Sequence, residues 1–327
     1  MEGSSQFLLR TFDMEASVDE STAATFGNCE GLDDCIRSTA TKGIYSEGLL
    51  PLPKTLECMS EKLNSRPLDV GTSWDRMAWR SLLERCDFED ILNQIPNPLK
   101  RGQALALVAE WFDGLDLSKP FVKWKSRAVK NAVIRTFILI RIWGDNPDYQ
   151  GPMENSEKLL REVLVQNLEL QDYIVKSAYL LHREGVRTAW RALSTQGQLN
   201  VKGFGVSYVT KFFYFLSSVW SDHPALILDS HTSQWFIGKS LNDFGLQSLP
   251  SWRSETFHNG INEHVYIDYL SRIYLWADIM QIDAGELERL IFLDHLTGWG
   301  GCDDEDDSFA PAPPGGDWRE KLINLRG

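Results

Sequence analysis

The chain has 327 residues, of which 43% are hydrophobic and 24% charged, a composition typical of a globular protein with a sizeable core. Its apolar runs are too short to cross a bilayer, so we expect no membrane-spanning segment. The formal net charge of −13 argues at first sight against a nucleic acid as the partner.

The two ends of the chain differ in composition from its middle. Residues 1–45 are rich in Ser, Thr, Gly, Asp and Glu, which predicts an N-terminal arm that is partly disordered or docked. Residues 46–300 are expected to form one all-α domain. Residues 301–327 open on an acidic run and predict an acidic C-terminal tail. The excess acid lies mostly in these ends, because residues 71–300 hold 27 acidic and 24 basic residues.

Apolar residues recur at helical spacing through most of the middle region, and alternating strand patterns are almost absent. The one β-like run, residues 225–228, is too short to carry a sheet. Helices are predicted, in chain order, from residue 74, over 102–112, 129–143 and 155–170, over 171–182 and 186–193 around Gly185, from 206, from 230, and over 266–280 and 284–293.

Basic residues cluster in two of these predicted helical stretches. Residues 118–144 hold seven Lys or Arg residues and no acidic residue. A second cluster combines Lys176, Arg183, Arg187 and Arg191. A near-neutral domain with local basic stripes is compatible with phosphate binding, in spite of the net charge of the whole chain.

The most informative segment spans residues 199–236 and begins with the sequence VKGFG at residues 201–205. Two glycines on either side of Phe204 predict a tight turn that lets the backbone approach a ligand closely. The helix predicted from Val206 presents free N–H groups at its start, and such groups suit a phosphate. The alternative is a plain connection between two helices.

A carboxylate follows this turn. Asp229 lies 24 residues beyond Gly205, immediately before the helix predicted from Ser230, which is an ordinary N-cap position. The functional alternative is a carboxylate that helix N–H groups hold in its charged form beside the turn.

The turn, the helix after it, and an Asp followed two residues later by His231 together resemble the helix-hairpin-helix DNA glycosylases, and most closely their 8-oxoguanine-glycosylase-like branch. A weaker likeness continues through Tyr266-x-x-Tyr-Leu-x-x-Ile-Tyr-x-Trp276-Ala277 and Glu286-x-Glu288-Arg-x-Ile-Phe292. Residues 1–70 and 301–327 show none. The resemblance implies a two-lobed all-α fold with a helix-hairpin-helix motif, a following catalytic Asp loop and a DNA cleft between the lobes. It also implies an enzyme that flips a base out of the duplex and cleaves its N-glycosidic bond.

The resemblance also implies roles for individual residues. Asp229 matches the family's essential Asp, which stabilises positive charge on the sugar or activates water. His231 matches a residue that contacts a DNA phosphate, and Asp278 stands where a contact to a base edge is expected. The DNA-binding hairpin then comprises Lys202, Gly203, Phe204, Gly205, Val206, Ser207 and His231, and the base pocket comprises Ser207, Tyr208 and Asp278. For Tyr208 a place in the core, and for Asp278 a plain exposed helical position, are the alternatives.

One position departs from the family. Members that also nick DNA carry a lysine two residues after the second glycine, where this chain has Ser207, so we expect a monofunctional enzyme that uses water. Lys211 lies four residues later on the same helical face and can reach the same pocket. A desolvated lysine there could form a Schiff base. The alternative is a supporting role as a phosphate contact or a surface lysine.

The expected partner is double-stranded DNA that carries a modified or damaged base, and the expected state is a cytoplasmic monomer. The five cysteines lack metal-ligand spacing, and their odd number suits free thiols in a reducing compartment. The N-terminus has no secretory signal pattern. No cofactor or metal is expected, although the hairpin carbonyls could hold a monovalent cation.

Two substrates and two rival functions stay open. The excised base is either an oxidised purine such as 8-oxoguanine, in DNA repair, or a hypermodified phage base such as glucosylated hydroxymethylcytosine, in antiphage defence. A catalytically inert hairpin module that only binds DNA would be unaffected by Asp229→Ala. An all-α interaction protein, which the charge of −13 favours, would show no salt-dependent DNA binding.

Overall fold

The computed structural model describes residues 53–61, 71–144, 152, 154–193, 197–243 and 263–297. The predicted N-terminal arm and acidic tail lie outside the described residues, as do the bounds of the 46–300 domain. Within the described ranges the chain is mainly helical and forms no strand, and an isolated β-bridge joins Thr72 to Leu99. The all-α prediction is confirmed, whereas the division into two lobes stays a prediction.

The helices follow one another closely along the chain. A 3₁₀ turn (Glu84–Cys86) and a π turn (Glu162–Gln166) interrupt their sequence. The described α-helices are α1 (Lys54–Glu61), α2 (Arg76–Leu83), α3 (Ile91–Gln94), α4 (Arg101–Phe112), α5 (Phe121–Trp124), α6 (Arg127–Gly144), α7 (Glu154–Arg161), α8 (Leu168–Leu193), α9 (Val206–Ser217), α10 (Ser230–Asp243), α11 (Glu263–Met280) and α12 (Ala284–Thr297).

Local signals explain several helix bounds. Asp283 accepts a hydrogen bond of 2.9 Å from the Glu286 N–H and so caps α12. Gly185 interrupts α8 with φ 83° and ψ 179°, so the two predicted helices meet at this residue. The helix predicted over 155–170 is wrong in its extent, because the π turn ends at an extended residue, Asn167.

The core is built around α6, against which α4, α8 and α9 pack. Nine of the side chains from Val129 to Ile142 of α6 are buried and apolar, such as Val133, Phe137 and Ile140. A second group of helices, α10, α11 and α12, packs together, and α11 also contacts α8. The start of α9 therefore belongs to the first group of helices and the start of α10 to the second, and the two groups share one continuous core.

Ion pairs neutralise much of the basic stripe at residues 118–144. Lys125 and Lys130 both contact Asp172, with N–O distances of 2.7 Å and 3.4 Å, and Arg135 pairs with Asp90. Lys119 pairs with Asp116 at 3.1 Å. These side chains are already matched with carboxylates, so the stripe offers less positive charge to phosphates than the sequence suggests.

Two cysteines lie in the described residues, and they differ. Cys58 in α1 is disulfide-bonded, whereas Cys86 is a free thiol. The expectation of five free thiols is therefore wrong, and the cysteines give no support for a reducing compartment. Separately, the described helices include none long and apolar enough to cross a membrane.

Candidate active site

The VKGFG turn leads directly into α9. The Phe204 N–H donates to the Val201 carbonyl at 2.9 Å and closes the turn. Gly203 has φ 85°, a conformation that favours glycine. Gly205 has φ −72°, which any residue can adopt, and a Cβ atom placed on it would meet nothing within 4 Å. The backbone therefore requires the first glycine, while the second leaves open space over the start of α9.

Phe204 fixes the turn to the core. Its buried ring packs edge-on against Phe137, with centroids 5.2 Å apart, and against Phe212, with centroids 5.7 Å apart. The turn thus rests on α6 and α9 together.

Arg141 holds the same turn from the inside. Its side chain is buried and donates a 3.1 Å hydrogen bond to the Gly203 carbonyl, and its guanidinium lies 3.5 Å from the centre of the Tyr208 ring. The sequence places Arg141 in a phosphate-binding stripe, whereas the structure makes it an internal support. The Gly203 carbonyl, one of the hairpin carbonyls that could hold a monovalent cation, therefore already accepts a hydrogen bond from Arg141.

An extended segment of residues 225–228 follows α9 and is wholly buried. It is not part of a sheet, so side-chain hydroxyls satisfy its backbone groups. From α9, Ser217 accepts from the Ala225 N–H at 2.8 Å, and Thr210 accepts from the Leu228 N–H at 3.1 Å. From α11, three tyrosine hydroxyls each donate at 2.6 Å to a carbonyl, Tyr274 to Pro224, Tyr266 to Leu226 and Tyr269 to Ile227.

Asp229 stands at the end of this segment and is 7% exposed. Its Oδ1 accepts hydrogen bonds from the His231 N–H and the Thr232 N–H, both at 3.0 Å, and from the Thr232 hydroxyl at 3.1 Å. Asp229 is therefore the N-cap of α10, as predicted. Its other oxygen, Oδ2, lies 4.0 Å from the Lys211 Nζ.

Lys211 completes this cluster from α9. Its side chain is largely buried, and its amine donates a 2.9 Å hydrogen bond to the Ser207 hydroxyl. The Trp143 ring lies 5.9 Å from the amine, and the Tyr208 ring lies 5.5 Å from it. The structure thus brings Ser207, Lys211 and Asp229 together, and their catalytic roles stay predictions.

The remaining predicted site residues lie at different depths. His231 is half-buried and packs edge-on against Phe292, with ring centroids 5.3 Å apart. Burial lowers the pKa of His231, while the charge of Asp229 raises it. Tyr208 is half-buried over Arg141, and Lys202 is exposed in the turn. Asp278 is exposed in the last turn of α11.

A buried ion pair in the same core was not assigned from the sequence. Arg101 of α4 hydrogen-bonds to Glu288 of α12, and the guanidinium lies 4.3 Å from the centre of the Tyr214 ring. Burial raises the pKa of Glu288 to about 7, while Arg101 opposes this rise. Asp229 further raises the pKa and Lys211 lowers it. The two partners lie 187 residues apart, so no local pattern could have paired them.

The described part of the chain contains no group of three or more His, Cys, Asp or Glu side chains that could hold a metal ion. The polar groups around Asp229 come instead from backbone N–H groups, hydroxyls and one lysine.

Comparison with known proteins adds to this geometry. A family model described as "Putative 8-oxoguanine DNA glycosylase OGG-like protein" matches residues 66–292, which include the VKGFG turn, Lys211, Asp229 and Glu288. Neither the curated proteins nor the solved structures give a significant match. Since the family match covers more than half of the chain, this protein belongs to the OGG-like family that this model describes.

Proposed function

We propose that this protein is a DNA glycosylase that flips an abnormal base out of the duplex, cleaves its N-glycosidic bond and leaves an abasic site. The observation that carries the proposal is the buried Asp229, with one oxygen fixed by α10 and the other turned towards Lys211. The Lys211 amine also donates to the hydroxyl of Ser207, in the first turn of α9.

The chemistry follows from where charge develops. Cleavage of the bond leaves positive charge on the sugar, and a fixed carboxylate stabilises that charge or activates the attacking water. Three donors hold Oδ1 of Asp229, so the carboxylate does not need to reorganise during the reaction. In this poorly solvated place, the Lys211 ammonium balances the negative charge before substrate binds.

The turn supplies the proposed grip on DNA. The open space over Gly205 admits a phosphate to the N–H groups in the first turn of α9, and Lys202 adds an exposed charge beside them. His231, at the start of α10, is proposed to contact a second phosphate. We expect a cytoplasmic monomer that acts on duplex DNA.

Lys211 is proposed to support Asp229 without forming a Schiff base, which makes the enzyme monofunctional. Its amine is already bonded to Ser207 and faces the carboxylate at 4.0 Å. Ser207 itself occupies the position at which strand-nicking relatives carry their lysine.

The first proposed substrate is 8-oxoguanine opposite cytosine, since the matched family is described by that base. A hypermodified phage base is the second candidate, favoured by the acidic ends that the family match leaves uncovered. For either base, Ser207, Tyr208 and Asp278 are the proposed pocket residues, with Asp278 accepting N–H groups from the base edge.

The test measures base excision on labelled duplexes that carry 8-oxoguanine, uracil or alkylated purines, and on phage DNA with modified cytosines. We expect Asp229→Asn to lower excision by at least about a thousandfold while DNA binding persists, since removal of a single charge-stabilising donor already costs about 10²–10³. Asp283→Asn is the matched control, because Asp283 caps α12 as Asp229 caps α10. Excision that survives in Asp229→Asn contradicts the proposal.

The same reactions, read without alkali and with borohydride, test Lys211. We expect intact strands, no trapped protein–DNA adduct, and slower excision in Lys211→Gln with the same products. Trapping in the wild type that disappears in Lys211→Gln would assign a Schiff base to Lys211. Tight binding without excision of any base would favour the inert hairpin module, and no binding at low salt would exclude DNA as the partner.

A further inference from the structure

Thr210 and Leu228, the residues immediately before Lys211 and Asp229, are hydrogen-bonded to each other. The Thr210 hydroxyl accepts from the Leu228 N–H at 3.1 Å and lies 3.2 Å from the Leu228 carbonyl, to which it can donate. Both Thr210 and Leu228 are fully buried. One side chain on α9 therefore joins the chain segment of the lysine to the chain segment of the carboxylate.

This contact has no substitute from a neighbouring strand. The tyrosine hydroxyls of α11 fix the extended segment to α11, and Ser217 bonds it four residues before Asp229. Thr210 is the described hydroxyl that ties the end of the segment to the helix carrying Lys211. The same hydroxyl lies 3.1 Å from the Ser207 carbonyl, and the Ser207 hydroxyl accepts from the Lys211 amine.

We propose that Thr210 is a positioning residue that sets the distance between the Lys211 amine and the Asp229 carboxylate. The proposal rests on the proposed glycosylase function. Thr210 is buried behind the pair and acts through the backbone of its neighbours. A displacement of about 1 Å can slow an enzymatic reaction by about a hundredfold. Loss of the Thr210 hydroxyl should therefore lower the rate of excision and leave the affinity for DNA largely intact.

The test compares Thr210→Val, which keeps the shape and removes the hydroxyl, with Thr210→Ser, which restores the hydroxyl. Ser217→Ala is the matched control, because it removes a similar buried bond on the same helix at the far end of the segment. Single-turnover excision, the Kd for substrate DNA and thermal unfolding are measured for each. We expect Thr210→Val to slow excision by about tenfold to a hundredfold with Kd within about twofold, and the other two variants to stay near wild type.

Two further readouts separate positioning from a loss of stability. The midpoint of the pH–rate profile should move in Thr210→Val and not in Ser217→Ala, because only the first alters the amine–carboxylate distance. In protein labelled at the lysine Cε, the NMR signal of Lys211 should shift in Thr210→Val, because the nearby carboxylate moves away. Asp229→Asn removes the carboxylate charge altogether, so its Lys211 signal shows the direction in which the signal of Thr210→Val should shift.

Each outcome decides the proposal. If Thr210→Val only lowers the melting temperature, or slows excision no more than Ser217→Ala does, Thr210 is structural and the proposal is overturned. If the wild type excises no base, the glycosylase function fails, and the Lys211 Cε signal still shows whether Thr210 sets the distance. If Thr210→Val does not fold, Thr210→Ala, which leaves room for a water at the Leu228 N–H, takes its place in every measurement.

Discussion

Two glycines that stand two residues apart in the turn before α9 have different physical reasons to be there. Gly203 has φ 85°, so Gly203→Ala should lower the free energy of unfolding by about 1–2 kcal/mol. Gly205 has an ordinary φ and open space beside it, so Gly205→Ala should change stability by less than about 0.5 kcal/mol and instead weaken DNA binding. Urea unfolding and a DNA-binding titration on both variants check this.

Two outcomes for Gly203→Ala and Gly205→Ala would contradict this expectation. Equal loss of stability in both variants would mean that Gly205 serves the turn alone. Unchanged DNA affinity in Gly205→Ala would mean that DNA does not approach this part of the backbone, which would remove the proposed phosphate site at the start of α9.

At the scale of helices, the buried Arg101–Glu288 pair joins α4 to α12. Glu288→Leu leaves the Arg101 charge buried without its partner, so we expect a loss of about 3–5 kcal/mol in the free energy of unfolding. In Arg101→Met with Glu288→Leu, neither charge remains, and we expect much of the loss to be recovered. Urea unfolding of the two single variants and the double variant measures the coupling, and strictly additive losses would contradict it.

The same pair predicts a pH dependence of stability. Burial raises the pKa of Glu288 from 4.5 to about 7, so the folded protein holds this proton over a range in which the unfolded chain has released it. Stability from this group is therefore fully present below about pH 4.5 and is lost as the pH rises through about 7. Glu288→Gln does not titrate, so its free energy of unfolding should fall less than that of the wild type between pH 5 and pH 8. Parallel curves would contradict the expectation.

Local patterns in the sequence predict much of this architecture, because caps and helical periodicity act over a few residues. The start of α9 at Val206, the N-cap role of Asp229 and the break at Gly185 follow from such patterns. The burial of Arg141 does not, since a basic residue on an apolar helix looks the same whether it faces a phosphate or a carbonyl. Contacts such as Thr210 with Leu228 depend on how distant segments pack, and single-sequence reasoning gives no access to them.

At the scale of the whole molecule, the ion pairs around α6 imply weak salt dependence of DNA binding. Lys125 and Lys130 are matched with Asp172, whereas Lys123, Arg127 and Lys202 are exposed. We expect a plot of log Kd against the logarithm of the salt concentration to have a slope of roughly 3 or less. This slope is lower than that of proteins that neutralise six to ten phosphates. Lys202→Ala should reduce the slope by about 1, while Lys125→Ala, whose charge is already paired, should not. A steep wild-type slope would show that the ion pairs open on DNA.

The extended segment before Asp229 has a consequence for hydrogen exchange. In a helix or sheet, neighbouring amides usually lose their protection together, because their hydrogen bonds form one cooperative ladder. Here the Ala225 amide is bonded to the Ser217 hydroxyl and the Leu228 amide to the Thr210 hydroxyl, each from a separate side chain. These two amides should therefore exchange independently, and opening of the chain that carries Asp229 can be followed at one backbone position at a time.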